Sequence, residues 1–364
     1  VSLSLNPWLS AIEPYVGGDA SLSKSSRQQT NIHRLMSNEN PLGYSSKARE
    51  AIAKVNDFAI YPDSSHTTLK QALCQALDLQ DPSWIVCGNG SDEVIGFIAQ
   101  AFINPSRSMV YNQYGFLMYP LAVKAMGGLA IQATATAHYS IDIDAMLDAI
   151  RADTSVVFIA NPNNPTGTYI NYQTLVALRE RLREDIILVI DCAYAEYATA
   201  ADYGNAFKLV ENYHNVIVTR TFSKLHGLAA LRCGFCYAKP EIATCIEQAL
   251  RMPFNVNKIA QVASAASIED QAFIEGSIWH NTKYRELFTT LLSQYGQVIP
   301  SQANFVLWLL ADAKQADSYY QLLVSNGIYV RKVSSYGINN ALRVTIGSEN
   351  SYNYMKVILE QASL

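Results

Sequence analysis

Val156-Val157-Phe158-Ile159 leads into Asn161-Pro162-Asn163-Asn164-Pro165-Thr166-Gly167; a helix-like segment runs from Tyr172 to Leu182; Ile186-Ile187-Leu188-Val189-Ile190 then ends on Asp191. Both apolar runs are short, β-branched and uncharged, which reads as strands buried on both faces. A helix between two such strands implies a βαβ unit and a parallel pair. Working outward, Val216–Thr219 adds another strand, and so does Trp84-Ile85-Val86-Cys87. The latter passes through the turn Gly88-Asn89-Gly90 into a helix start, Ser91-Asp92-Glu93, with its cap and first-turn acids. Ser45 to Val55 and Thr67 to Leu79 carry apolar residues at helical spacing. The expected fold is α/β, with a large domain over residues 31–260 that sets a mostly parallel sheet between helices.

Past Asn257 the pattern changes. A long helix-like stretch precedes two strand-like runs, Phe305–Leu310 and Ile328–Arg331, around a helix near Asp317–Asn326. This predicts a smaller α+β domain made of residues 261–364 together with residues 1–30, which form an N-terminal arm. That arm is turn-rich and polar, with Gly17-Gly18 and the stretch Ser21 to Thr30.

The 364 residues are 49% hydrophobic and 16% charged, which excludes a disordered chain. Lys and Arg number 27 against 31 Asp and Glu, a net charge of −4, which argues against nucleic-acid or anionic-membrane partners. No apolar run approaches the ~20 residues of a membrane span. The first positive charge is Lys24, so no secretory signal is expected in the chain as given. The six cysteines have no framework spacing and read as reduced thiols of a cytoplasmic protein. Cys233 and Cys236 form a C-x-x-C pair, but inside the apolar run Cys-Gly-Phe-Cys-Tyr-Ala they read as part of a buried strand. No metal site is expected.

Four clusters follow the carboxyl ends of these strands, where α/β folds place ligands. Gly88-Asn89-Gly90-Ser91 opens a helix and offers N–H groups to a phosphate. It lacks the third glycine of a dinucleotide fingerprint and the G-K-[ST] of a P-loop. The two prolines around Asn163-Asn164 rigidify a loop and aim its amides. Asp191 ends a fully apolar strand and needs a partner, as a helix cap, in a local ion pair or as counter-ion to a cationic ligand group with Tyr194 three residues on as a hydroxyl donor. Thr221-Phe222-Ser223-Lys224, with Arg232 beyond, puts an amine in an apolar setting that lowers its pKa. Together these supply a phosphate cradle, donors for a phenolic oxygen, a carboxylate for a ring nitrogen and a Schiff-base lysine, the set that pyridoxal phosphate requires.

With these residues in order, the chain resembles the fold-type I pyridoxal-phosphate-dependent aminotransferases, in particular the histidinol-phosphate aminotransferase branch. Asn161 to Gly167, Asp191-Cys192-Ala193-Tyr194 and Thr221 to Lys224 with Arg232 carry the superfamily likeness. Pro14-Tyr15-Val16, Ser37-Asn38-Glu39-Asn40-Pro41-Leu42-Gly43, Tyr61-Pro62-Asp63 and Leu342 to Gly347 carry that of the branch. The resemblance implies that Lys224 holds the cofactor and shuttles a proton, and that Asp191 keeps the ring nitrogen protonated. It implies that Asn164 and Tyr194 bond the phenolic oxygen and that Tyr114 stacks on the ring. Ser91, Asp92, Thr221, Ser223 and Arg232 would surround the phosphate, with Tyr61 reaching it from the other subunit of a homodimer. Arg343 and Arg331 would take substrate anions, with Tyr15 and Asn40 nearby.

The implied reaction passes an amino group between histidinol phosphate and 2-oxoglutarate in histidine biosynthesis. The branch's D-E-A-Y is here Asp191-Cys192-Ala193-Tyr194, and Leu225-His226 follows the lysine where small and aromatic residues are usual. His226 reads as structural, with a contact on the phosphate side as the other reading. An aromatic amino acid aminotransferase and a decarboxylase of a phosphorylated amino acid are the alternatives. A cofactor-binding transcriptional regulator would need a basic module that the sequence does not show.

Overall fold

The computed structural model describes residues 5–12, 32–250 and 252–362. Tyr15, with most of the expected N-terminal arm, lies outside the described residues. In chain order the first strands are β1 (His33–Leu35), β2 (Ile85–Gly88), β3 (Ser108–Asn112) and β4 (Leu129–Ala133). Next come β5 (Thr154–Ala160), β6 (Ile187–Asp191), β7 (Val216–Thr221) and β8 (Gly234–Ala238). The last four are β9 (Gln297–Ile299), β10 (Phe305–Leu309), β11 (Ile328–Lys332) and β12 (Ala341–Thr345).

β2 to β8 form a seven-stranded sheet in the order β2-β8-β7-β6-β5-β3-β4. The β4–β3, β3–β5, β5–β6 and β6–β7 pairs are parallel, as the βαβ pattern requires. β8 alone runs antiparallel, to both β7 and β2. Every residue of β5 and β6 is buried. Their period-two alternation sends Val157, Ile159, Leu188 and Ile190 into one apolar core, and Val156, Phe158 and Val189 into a second on the opposite face. Continuous hydrophobicity in these runs therefore reflects two cores sharing one strand. The C-x-x-C run is β8 with its preceding residue; burial pushes the Cys233 and Cys236 thiols up to about 12, which leaves them inert packing groups.

The second sheet has the order β1-β11-β12-β10-β9, with β1 parallel to β11 and the other pairs antiparallel. Its core sets Trp308, Leu342 and Val344 against Phe288, Leu323 and Met355 from three covering helices. Two elements cross the expected 31–260 division. β1 belongs to this second sheet, and the helix Lys258–Ile268 packs on Ser46–Ala53 and Thr67–Leu77 of the first. The helix-like stretch after Asn257 is two helices, Lys258–Ile268 and Gln271–Leu292, parted where Asp270 caps the second through the Phe273 N–H. Among the described residues no helix is long and apolar enough to cross a membrane.

Leu188 is fully buried in β6 and packs in the first of the two apolar cores. Leu188→Ala should cost about 3 kcal/mol in urea unfolding through lost burial and a residual cavity. A loss below about 1 kcal/mol would contradict the two-core packing.

Candidate active site

The carboxyl ends of β5, β6 and β7 and the turn after β2 open onto one cavity of about 410 Å³. The second sheet closes it with Arg331 from β11, Arg343 from β12 and the segment Met36-Ser37-Asn38 leaving β1. Of the residues singled out in the sequence, Ser91, Asp92, Asn164, Asp191, Tyr194 and Thr221 line it. So do Ser223, Lys224, Arg232, Arg331 and Arg343.

Lys224 lies three residues past β7. Its Nζ donates to the Ser37 carbonyl at 3.2 Å and stands 5.7 Å from the centre of the Tyr194 ring. Burial, reinforced by the Arg343 charge, pulls its pKa from 10.5 down to about 8, so a neutral, nucleophilic amine is populated near neutral pH. Asp191 ends β6 and is 4% exposed. Burial raises its carboxyl pKa, and three donors counter this: Tyr119 Oη to Oδ2 at 2.7 Å, Thr219 Oγ1 to Oδ1 at 3.0 Å, and the Ala193 N–H to Oδ1 at 3.2 Å. Among the described residues no cation pairs with Asp191, so a protonated ring nitrogen would complete it.

Tyr194 Oη accepts from Asn38 Nδ2 at 2.9 Å, and burial pushes the phenol up to about 12, keeping it protonated. Arg343 donates from Nη1 to Asn164 Oδ1 and from Nη2 to the Met36 carbonyl, both at 2.6 Å. That occupies Asn164 Oδ1 and leaves its amide N–H groups for a ligand. Arg343 is 6% exposed, and its Nε is buried without a partner. Arg331 and Arg343 are directly opposite in the β11–β12 pair. Two cations side by side on paired strands repel, and an anion held between them relieves this.

The phosphate end rests on backbone geometry. Gly90 opens a 13-residue helix at φ +78, and a Cβ there would meet Arg232 Nη2 at 2.5 Å. Arg232 bonds Ser223 Oγ at 3.3 Å and pairs with Asp92 at 3.2 Å. Helix N–H groups, the Ser91, Thr221 and Ser223 hydroxyls and the Arg232 guanidinium thus surround a space suited to a dianion. The donor set, an uncountered carboxylate and a lowered amine all fit pyridoxal phosphate.

Two sequence expectations land elsewhere. Tyr114 packs on Tyr139 with ring centres 5.3 Å apart and does not line the cavity; Phe116 supplies the aromatic wall. Asn40 is outside it too, pinning the Leu225 carbonyl at 2.6 Å and Ser277 Oγ at 3.0 Å. Tyr61, expected to act on the other subunit, is 77% exposed and stacks on Phe254 at 4.6 Å, outside its own chain's cavity. His226 is buried against Phe222 and bonded to Ser267, its pKa driven down to about 3 by burial; of its two readings the structure keeps the structural one. Tyr119, Thr219 and Asn38 were missed. Thr219, the one hydroxyl in Val216–Thr219 and paired with Asp191 across β6–β7, was the readable signal.

A family model described as aminotransferase class I and II matches residues 30–360. The chain is 42% identical over 347 residues to a histidinol-phosphate aminotransferase of Zymomonas mobilis, covering 94% of this chain and 92% of that one. It is 41% identical over 345 residues to one of Rhodospirillum centenum, covering 94% and 93%. A solved histidinol-phosphate aminotransferase of Sinorhizobium meliloti in complex with pyridoxal-5'-phosphate superposes with a TM-score of 0.91 at 26% identity, covering 100% and 99%. An L-threonine-O-3-phosphate decarboxylase of Porphyromonas gingivalis shares the fold, at 22% identity and a TM-score of 0.78, covering 90% and 98%.

The amine chemistry can be read on the unloaded protein. Condensation of a simple aldehyde at Lys224, trapped with borohydride and mapped by mass spectrometry, should rise with pH through a midpoint near 8. A midpoint at the ordinary lysine value, about 10.4, would contradict a desolvated amine.

Proposed function

The chain belongs to the class I and II aminotransferases, and from that premise we propose that it is a pyridoxal-phosphate-dependent histidinol-phosphate transaminase. It exchanges an amino group between histidinol phosphate with 2-oxoglutarate and imidazole acetol phosphate with L-glutamate, a step of histidine biosynthesis. The observation that carries this reading is the shared cavity that holds the lowered Lys224 amine, the uncountered Asp191 carboxylate and the Arg331–Arg343 pair. The two relatives, 41–42% identical over nearly the whole chain, favour this substrate over an aromatic amino acid or a decarboxylation.

When bound, pyridoxal phosphate supplies the aldehyde that takes up amines and a ring that accepts electron density from the substrate α-carbon. Lys224 Nζ would hold the aldehyde carbon and, when free, would be the base that takes up and returns the substrate's α-proton. Asp191 holds the proton on the ring nitrogen, helped by Tyr119 and Thr219, which stabilise its anionic form. Asn164 and Tyr194 would donate to the phenolic oxygen, the former through its amide nitrogen and the latter through its hydroxyl. Ser91, Thr221, Ser223 and Arg232 would bind the phosphate, with Ala193 and Phe116 supplying apolar walls of the same cavity. Arg343 and Arg331 together meet either the two carboxylates of glutamate or the one phosphate of the imidazole substrate.

We also infer a homodimer. Phe58, Ile60 and Tyr61, with Met252 and Phe254, leave large apolar groups 40–77% exposed, and Tyr61 and Phe254 are in contact. Such a patch suits a partner surface, and it puts Tyr61 where it can reach the other subunit's phosphate. The free cysteines suit a reducing compartment, which supports a cytoplasmic location.

Single-turnover half-reactions distinguish the substrates. Histidinol phosphate should discharge the loaded enzyme's absorbance faster than phenylalanine, tyrosine or phosphothreonine. Arg331→Ala should weaken histidinol phosphate about 10- to 100-fold while changing phenylalanine little, as expected for one lost charge-assisted contact. Phenylalanine outrunning histidinol phosphate would overturn the substrate assignment. For the dimer, light scattering should give twice the chain mass, and Ile60→Asp with Phe254→Asp should give a monomer that retains cofactor poorly. A wild-type monomer would end that proposal.

A further inference from the structure

Asn38 stands in the left-handed region at φ 57 and is 1% exposed. Asparagine tolerates this backbone better than most residues. Both its backbone and its side chain are engaged. Its N–H donates to Thr345 Oγ1 at 3.0 Å, and its carbonyl accepts from Asn304 Nδ2 at 3.0 Å. Thr345 lies on β12 two residues past Arg343, hence on the same side of that strand. Having accepted from the backbone N–H, the Thr345 hydroxyl gives its own proton to Asn38 Oδ1 at 3.1 Å. The amide's orientation is thereby set, and its nitrogen is left to donate to Tyr194 Oη at 2.9 Å.

We propose that Asn38 is a positioning residue that fixes the direction of the Tyr194 hydroxyl proton, turning it toward the cofactor's phenolic oxygen, and that ties this to the β12 strand bearing Arg343. A phenol that already accepts a hydrogen bond from Asn38 has its own O–H free to give. The charged groups facing Tyr194 are Arg343, Asp191 and Asp92, with Lys224 over its ring. None of them accepts the phenol's proton in the hydrogen bonds of the site, so Asn38 is the neighbour that sets its direction. A strained asparagine locked by Thr345 and Asn304 is a rigid way to do this, because the amide cannot turn over without losing the Thr345 bond. The inference rests on the transaminase reading above.

The test is the pH midpoint of the visible absorbance of the cofactor-loaded protein, measured without substrate. A donor on the phenolic oxygen favours its anionic form and keeps that midpoint low. Asn38→Asp keeps the shape and the Thr345 acceptor but offers Tyr194 an acceptor, so the midpoint should rise by about one unit, approaching that of Tyr194→Phe. Asn38→Gly keeps the backbone and adds no charge; its midpoint should rise less, in the same direction, and should rise no further when combined with Tyr194→Phe. A purely structural role would lower the melting temperature and leave the midpoint in place. If Asn38→Gly matches the wild type while Tyr194→Phe shifts, the proposal falls, including the case where Asn38→Asp shifts through its added charge alone. Should Asn38→Asp fail to fold, Asn38→Gly and the double variant decide. A wild-type protein that takes up no cofactor would instead overturn the transaminase reading.

Discussion

The structure depends on burying ionisable groups that the protein does not itself neutralise. Asp191 at the end of β6, Lys224 beyond β7 and Arg343 on β12 all face one cavity, and none has an ion-pair partner among the described residues. Each is costly to bury alone. Lys224 responds by a lowered pKa, Asp191 by collecting three hydrogen bonds, Arg343 by resting on Asn164 and the Met36 carbonyl. A ligand with a ring nitrogen, an aldehyde and anionic groups satisfies them together, so the folded chain is prepared for it in advance.

Two cores under one sheet make that arrangement possible. Because β5, β6 and β7 are packed on both faces, their ends hold fixed positions, and the loops after them can be shaped for contact alone. The second sheet then brings its own strand register to the site. Arg331 and Arg343 are twelve residues apart in sequence and become neighbours solely because β11 and β12 pair antiparallel at that position. In the proposed reaction substrate recognition would sit on one sheet and cofactor recognition on the other, and Met36-Ser37-Asn38 lines the cavity between them.

Where the sequence misled, the reason is geometric. Tyr114 and Phe116 are two residues apart on a turn, and Tyr114's φ of 59 turns its ring toward Tyr139 while Phe116 takes the cavity wall. Asn40 belongs to a motif full of plausible ligands, yet its amide is consumed by Leu225 and Ser277. Tyr119 looked like any apolar helix residue, and its bond to Asp191 spans 72 positions of chain. β1 is three residues long, too short for any periodicity to reveal, and its place beside β11 depends on a partner nearly 300 residues away.

Local patterns did carry much of the answer. β-branched runs, glycines and prolines at strand ends, and lone polar residues closing apolar strands already specified an α/β sheet, its loops and the cavity-lining Asn164, Asp191 and Lys224, because those signals arise from backbone preference and burial within a few residues. Which aromatic lines the cavity, which amide bonds the Tyr194 hydroxyl, how two arginines come side by side and which sheet owns residues 33–35 were decided by pairing and packing across the fold. Those are long-range contacts whose register and orientation follow from the whole core closing at once, and no window of sequence contains both partners.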